Sequence, residues 1–479
     1  MSRRNTVPPA PASRRMLAAV LAAKIASAGT RALGRGGGTA LPGLIATRVE
    51  PNLVRDLASQ LEAGSAIVSG TNGKTTTSRM LAAVLQSSGF NVVRNSTGSN
   101  LTRGVASALL GRVNFRGKIG GTAPTFGLFE VDEAALPEVV DSVSPTSLVL
   151  LNLFRDQLDR YGEVATVARL WSRALTQLRD SARLISNADD PLVANVADGF
   201  AGERVYFGIE GLESGQAESE HAGDVKSCPR CGSPIQYSLF TLGHLGHYAC
   251  AKCGFSRPTP AIWAMDVETL GIGGSIFVLR TSAAEATVDL PLPGLYNVYN
   301  ALAAAAAALS LGVELTDVVD ALAHVTPAFG RMECIEIGGK RVYMALAKNP
   351  TGMNEVLRTV TSEGTDAHLM MMLNDNTADG HDVSWIWDAE MELLAGQIEH
   401  AVFSGTRAAD MALRFKYAGL AAAEGTTWDV EPDTQQALLK ALAAVPPGGV
   451  LFVIPTYTAM LDVRSVLSRL GHVRPYWEE

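Results

Sequence analysis

The chain has 479 residues, 47% hydrophobic and 18% charged, enough for two or three domains with cores of their own and outside the range of disordered chains. Its 40 basic and 48 acidic residues give a net charge of −8, which argues against bulk nucleic-acid binding, because that task needs a basic footprint, and leaves room for a local basic patch. Five cysteines in so long a chain make no disulfide framework: four form two Cys-x-x-Cys pairs and Cys334 stands alone, the pattern of a metal site in a reducing compartment.

Residues 1–12, rich in Pro, Ala and Arg, read as a disordered tail. An apolar run opens at Met16 behind Arg14 and Arg15. Lys24 interrupts it, Arg31 and Arg35 follow, and no small-residue cleavage pattern closes it. It reads as a basic amphipathic helix rather than a signal peptide. Two uses fit such a helix: packing on the body of the protein, or resting on an anionic membrane surface. No apolar run approaches the ~20 residues that span a bilayer.

From Ser65 the pattern is strand, glycine turn, helix, repeated. Ala66–Ser69 is a short apolar strand, Thr75–Ser87 has helical spacing, and Thr125–Val131 and Ser147–Asn152 are further strands of the buried, near-continuous apolar kind. This alternation predicts a parallel sheet flanked by helices. Residues 222–258 break the rhythm with two cysteine pairs and many turn residues, and read as an inserted module. An alanine-rich helix spans about 297–311. A second α/β unit starts near Gly330, with strands at Arg341–Leu346, His368–Leu373, His400–Ser404, Thr427–Val430 and Val450–Pro455 and helices between them. The fold class is therefore α/β, with three parts: an N-terminal tail and helix (1–43), a central nucleotide-binding domain (44–328) carrying the 222–258 insertion, and a C-terminal doubly wound, Rossmann-like domain (329–479). Ligand-facing residues of such a domain lie at the C-terminal ends of its strands.

The strongest local signal is Gly70, Thr71, Asn72, Gly73, Lys74, Thr75 and Thr76, between a strand and a helix. Glycines let backbone amides converge on phosphate oxygens, the helix N-terminus adds a favourable dipole, Lys74 brings a positive charge to the β- and γ-phosphates, and the Thr75 hydroxyl can sit on Mg²⁺. The generic phosphate-loop pattern has a further glycine where this chain has Val68. Glu130, ending the strand Thr125–Phe129, is the candidate carboxylate for that Mg²⁺, with Asp132 and Glu133 beside it. Cys228 and Cys231 are separated by eighteen residues (232–249) from Cys250 and Cys253, and Gly232 and Gly254 follow the pairs. That is the spacing of a four-thiolate Zn²⁺ ribbon, closed and hence structural, with His244 and His247 as spare donors nearby.

These motifs resemble the Mur ligase superfamily. Gly-Thr-Asn-Gly-Lys-Thr is its form of the phosphate loop, and Glu130 matches its Mg²⁺-binding glutamate. Asn187–Asp190, Gly294 with Asn297 and Asn300, Gly330–Glu333 and Lys348–Pro350 match further blocks in the same order. The resemblance implies ATP as the nucleotide, adenine reading by Asn297 and Asn300, and Arg331 near the phosphates. Two departures narrow the choice. Gln157 replaces the family's metal-liganding histidine, and the helix after Gly162 has no lysine before Ser181, where peptide-forming members carry a carbamylated lysine for a second metal. Arg155–Arg160, the four-cysteine insertion, and Asn374–Asn376 through Asp382–Trp385 together resemble the amidating branch, the synthetase subunits of lipid II isoglutaminyl synthases.

That branch implies ATP-dependent amidation of the α-carboxylate of D-glutamate in the peptidoglycan stem peptide, by a cytoplasmic enzyme whose lipid II substrate sits at the inner face of the cell membrane. It implies a heterodimer with a GatD-like glutamine amidotransferase subunit, whose Cys-His pair the residue matching Asp382 would complete. From its sequence position alone Asp382 is equally suited to cap the helix that follows. Lys74 and Glu130 fit formation of an acyl phosphate, a step of positioning and charge neutralisation. No cysteine here has the setting of a glutaminase nucleophile, and free ammonia is mostly protonated at neutral pH, so a partner that delivers it makes chemical sense. Two other readings compete: an amino-acid-adding or folylpolyglutamate-type ligase, and a non-catalytic zinc-ribbon nucleic-acid adaptor.

Overall fold

The computed structural model describes residues 13–32, 40–95, 99–121, 123–156, 164–212, 225–364, 366–422 and 425–474. The proposed tail at 1–12 and the Gln157–Arg160 block lie outside them.

The larger sheet contains β1 (Ser65–Ser69), β2 (Asn91–Arg94), β3 (Thr125–Glu130), β4 (Ser147–Leu150), β5 (Arg183–Asn187) and β6 (Glu203–Ile209), all parallel. A two-stranded hairpin, β7 (Gln236–Leu242) and β8 (Leu245–Ala249), stands apart from it. β9 (Ile262–Thr269), β10 (Ser275–Thr281) and β11 (Glu285–Leu290) complete the sheet, β10 and β11 joining antiparallel, in the order β11-β10-β9-β6-β5-β4-β1-β3-β2. Every residue of β1, β3 and β4 is buried, which explains their unbroken apolar runs: helices cover both faces. The loops after these three strands emerge side by side at one sheet edge.

The short helix α3 (Leu53–Ala58) precedes β1; α4 (Lys74–Ser87) follows it and packs against the helix Leu295–Ser310, in which all eight residues from Ala301 to Ala308 are buried. Small side chains all round let that helix run through the core between α4 and the sheet. α1 (Arg14–Ala32) buries Met16, Ala19, Val20 and Ala23 against α2 (Leu41–Val49), so its inner face packs on the body of the protein. α2 in turn lies on α5 (Thr102–Arg112). Gly43 makes that contact close: its N–H donates to the Ser107 hydroxyl at 2.9 Å, and a Cβ there would lie 2.0 Å from the Arg103 carbonyl oxygen.

The second domain holds β12 (Arg331–Ile337), β13 (Lys340–Ala345), β14 (Ala367–Met372), β15 (Ile398–Ser404), β16 (Thr427–Val430) and β17 (Val450–Pro455), in the order β12-β13-β17-β14-β15-β16, with β12 the antiparallel edge. Separate apolar clusters cover its two faces. The five strands expected here from sequence lie within about two residues of the observed ones, the usual scatter at element ends. β2, β5, β6, the β7–β8 hairpin, β9–β11 and β12 carry no counterpart in the sequence reading.

Candidate active site

The phosphate loop leaves β1 and enters α4 through Gly73, whose φ of +89° is the left-handed conformation glycine adopts without penalty. A Cβ at Gly73 would also lie 2.1 Å from Asn300 Oδ1, so the loop has no space for one. Asn152, just past β4, holds the loop's shape. Its carbonyl accepts from Thr71 N at 3.0 Å, its Oδ1 accepts from Asn72 N at 2.9 Å, and its Nδ2 donates to Asn72 O at 3.1 Å. The Thr71 hydroxyl accepts from Phe154 N at 3.1 Å and donates to Phe154 O at 3.2 Å. The first turn of α4 carries no acidic residue and no side-chain cap, so its amides are open to an anion.

Lys74 is buried, and its ammonium donates to both oxygens of Glu133 at 3.2 Å and to the Gly70 carbonyl. Burial works against its charge, but the carboxylates of Glu133, Asp132, Glu130 and Asp156 outweigh that and hold its pKa above the ordinary lysine value. The Thr75 hydroxyl donates to Glu130 Oε1 at 2.9 Å, which also accepts from Asn100 Nδ2 at 2.9 Å. Asn95 fixes the backbone of Glu130 through both its N–H and its carbonyl, at 2.9 and 2.8 Å. Thr75 and Glu130 thus share one point, an arrangement of oxygens that suits Mg²⁺.

The second domain closes on this edge. Arg331, Lys348, Thr377 and Tyr457 face Lys74, Thr75, Glu130 and Arg103 across a cleft of about 470 Å³. Arg331 sits between Gly330 (φ +65°) and Met332 (φ +59°), a non-glycine residue held in the left-handed region. Burial lowers the Arg331 pKa against the pull of Glu130, yet a guanidinium starts so high that it stays charged. Lys348 pairs with Asp156, and Asn349 Nδ2 donates to Asn72 Oδ1 at 3.1 Å, so both bridge the domains at the phosphate loop.

A narrower cavity of about 70 Å³ adjoins, lined by Gly73, Phe154, Leu242, Leu245, Tyr296, Asn300 and Arg331 among others. Asn300 stands against Gly73, and its Oδ1 accepts from the Thr77 hydroxyl at 3.2 Å. Asn297 sits one turn earlier, donating to the Pro293 carbonyl at 2.7 Å and accepting from Asn300 Nδ2 at 3.0 Å, and is not among the residues lining either cavity.

The sulfurs of Cys228, Cys231, Cys250 and Cys253 lie within 4.8 Å of one another. Each pair forms a tight knuckle: Gly232 N donates to Cys228 O at 2.9 Å and Gly254 N to Cys250 O at 3.0 Å, with both glycines at positive φ. Hydrogen bonds from Ser233 bring the Cys231 thiol down to about 6, toward the thiolate a metal takes. Ile235, Tyr248 and Phe255 give the module a small core with Ala194 of the body. His244 is buried beside Asp190 and against the Phe154 ring, and His247 Nε2 meets the Ile209 carbonyl at 2.8 Å, so neither joins the cysteines.

Asp382 is exposed on the loop after β14. Its Oδ1 accepts from Ser384 N at 2.8 Å, and hydrogen bonds from the Ser384 side chain and backbone hold its pKa below the usual carboxylate range. This is a local turn contact made from one residue before the N-cap, Val383, of the short 3₁₀ turn Ser384–Trp387, so the helix cap expected from sequence is not formed. Trp387 and Tyr417, both exposed, meet edge to face nearby with ring centroids 5.8 Å apart. Sequence reasoning missed Asn152 as the loop's clamp, Glu133 as the partner of Lys74, and the Lys348–Asp156 bridge. Only Asn152 carried a usable signal, its place at the end of a buried parallel strand.

Residues 68–243 match the Mur ligase middle domain and residues 346–460 the MurT ligase C-terminal domain. The lipid II isoglutaminyl synthase (glutamine-hydrolyzing) subunit MurT of Staphylococcus aureus is 32% identical over 457 residues, covering 95% of this chain and 98% of that protein. The Streptococcus pneumoniae protein of the same name is 31% identical over 441 residues, 92% and 94% of the two chains. Among solved structures, a pseudomurein peptide ligase type C from Methanothermus fervidus superposes with a TM-score of 0.66 at 24% identity, covering 87% of this chain and 81% of that one. MurF from Acinetobacter baumannii gives 0.63 at 20%, covering 88% and 80%, and these two share the fold. With that identity extending over nearly the whole of both chains, this chain belongs to the MurT family of Mur ligases.

Proposed function

We propose that this chain is the ATP-using subunit of a lipid II isoglutaminyl synthase. It converts the α-carboxylate of D-glutamate in the stem peptide to the amide, at the inner face of the cell membrane, with ammonia from a GatD-like glutaminase partner. The observation that carries the reading is the convergence of Lys74, Thr75 and Glu130 with Arg331 and Lys348 across one cleft. A carboxylate is a poor electrophile. Its oxygen attacks the γ-phosphorus of ATP, the bond to ADP breaks, and an acyl phosphate forms. Ammonia then adds to the carbonyl carbon, loses a proton, and phosphate leaves. The loop amides and Lys74 bind the phosphates. Arg331 and Lys348 add positive charge from the opposite wall, which favours the transition state over the separated reactants. Mg²⁺, held by Thr75 and Glu130, would neutralise phosphate charge. Asn300 and the apolar cavity behind Gly73 suit the base end of the nucleotide, with Asn297 fixing Asn300. Zn²⁺ on the four cysteines would be structural, since four thiolates leave no open position.

Asp382 is assigned as the acid that orients the partner's histidine. It is exposed and ionised, and the adjacent Trp387–Tyr417 pair is the kind of aromatic surface a partner covers. Asp382→Asn keeps an acceptor for Ser384 N. It should lower glutamine-driven amidation by ~10²-fold or more and leave amidation by added ammonium unchanged. Equal loss of both rates would withdraw the triad role. Product formation with free amino acids and none with ammonium would replace the whole reading by that of an amino-acid-adding ligase.

A further inference from the structure

The net charge hides a sharp segregation. Residues 1–49 contain eight arginines and lysines and no Asp or Glu, and residues 91–129 contain five more, again with no acid. The helices of these two stretches, α1, α2 and α5, pack on one another in one layer. In a chain of net charge −8, a layer with cations alone is a local field opposite in sign to the rest.

The outer face of this layer is also apolar. Leu17, Leu21 and Ile25 repeat every four residues along α1 and are 37%, 53% and 64% exposed. Phe115, on the loop after α5, is 75% exposed, and the Lys24 ammonium lies 5.0 Å from its ring centroid, which joins the loop to the helix stripe. Arg14, Arg112 and Arg116 are exposed around this patch. Protruding apolar side chains inside a ring of cations, with no carboxylate in α1, α2 or α5, match a surface that is negative outside and apolar within. A nucleic-acid backbone would use the cations and leave the leucines in water.

We propose that this face docks the enzyme on an anionic lipid bilayer, with Leu17, Leu21, Ile25 and Phe115 entering the headgroup boundary. The proposal deepens the function assigned above, since a lipid-linked substrate is held at such a surface. α5 supplies the connection: Leu101 and Arg103 at its start line the cleft, and its far end leads to Phe115, about 16 Å away at 1.5 Å per residue over eleven residues.

The test is sedimentation of the full chain with vesicles of phosphatidylcholine alone or with about 30% phosphatidylglycerol, comparing wild type with Leu21→Glu/Ile25→Glu. Both positions are exposed, and circular dichroism checks the fold. Wild type is expected to bind the anionic vesicles roughly ten-fold better than neutral ones and to release them in ~1 M salt, and the variant to lose that binding. ATP-dependent amidation of detergent-dispersed substrate is measured alongside and should be equal in both proteins, so a failed function assignment shows there and a failed docking assignment in the vesicles. Anionic binding retained by the variant overturns the proposal. So does tighter binding to duplex DNA than to vesicles, or a wild-type dimer that the variant dissolves with no vesicle binding by either.

Discussion

Lys74 and Glu133 form a buried ion pair, in which burial raises the Glu133 pKa even against the pull of Lys74. Lys74→Met strands the Glu133 carboxylate in a buried site, and breaking one side of such a pair costs on the order of 3 kcal/mol. Adding Glu133→Gln removes the stranded charge, so the double variant should regain most of the lost thermal stability and none of the amidation activity. Calorimetry and turnover, run on the same samples, check both halves; activity restored with stability would mean Lys74 only supports the loop. Gly70 to Thr75 and Glu130 could be picked out from sequence because a strand, a glycine turn and a helix start are local. Glu133 could not be, because its partner is 59 residues away and its neighbours Glu130 and Asp132 are equally acidic. The residue type of Asp382 made a local bond to the following backbone legible but not its position, one residue ahead of the N-cap; a role toward a partner chain leaves no mark on the isolated fold.

The β7–β8 hairpin links the cysteine cluster to the cavity beside Gly73. Its four cysteines hold one end. At the other, Leu242 and Leu245 enter the main core and line the cavity beside Gly73, while the Thr241 hydroxyl meets the Tyr299 hydroxyl at 2.6 Å. Removing Zn²⁺ with a chelator, or Cys228→Ser, should therefore weaken ADP binding by roughly ten-fold and lower the melting temperature, because metal binding is folding energy for so small a module. Titration calorimetry with ADP before and after chelation reads this directly, and unchanged affinity would uncouple the ribbon from the site. The cysteine spacing made the ribbon legible, and nothing in it pointed to the cavity. β9–β11 escaped notice for a physical reason. β11 alternates polar and apolar residues, as a half-exposed antiparallel strand does, while β9 and β10 carry apolar runs at 262–265 and 276–279 but follow the inserted module, outside the strand, glycine turn and helix rhythm that marked β1, β3 and β4.

At the scale of the whole molecule, function depends on two domains meeting. Lys348 and Asp156 lie 192 positions apart, and with Asn349 on Asn72 they tie the second domain to the phosphate loop. The order of motifs implied that both domains serve one reaction, but no spacing in sequence encodes which atoms meet across a cleft. Lys348→Met should lower kcat by ~10²-fold if the proposed phosphoryl transfer occurs in the cleft its charge faces, with some loss of melting temperature because Asp156, mostly buried, loses its partner. A loss confined to KM for ATP would reduce Lys348 to a binding role. The central claim is that the cleft makes a carboxylate reactive by joining it to phosphate. The most direct measurement uses stem-peptide substrate labelled with ¹⁸O in the D-glutamate α-carboxylate, ammonium as donor, and mass analysis of the phosphate released. One labelled oxygen in each phosphate is the predicted result; amide formed with unlabelled phosphate would contradict the account.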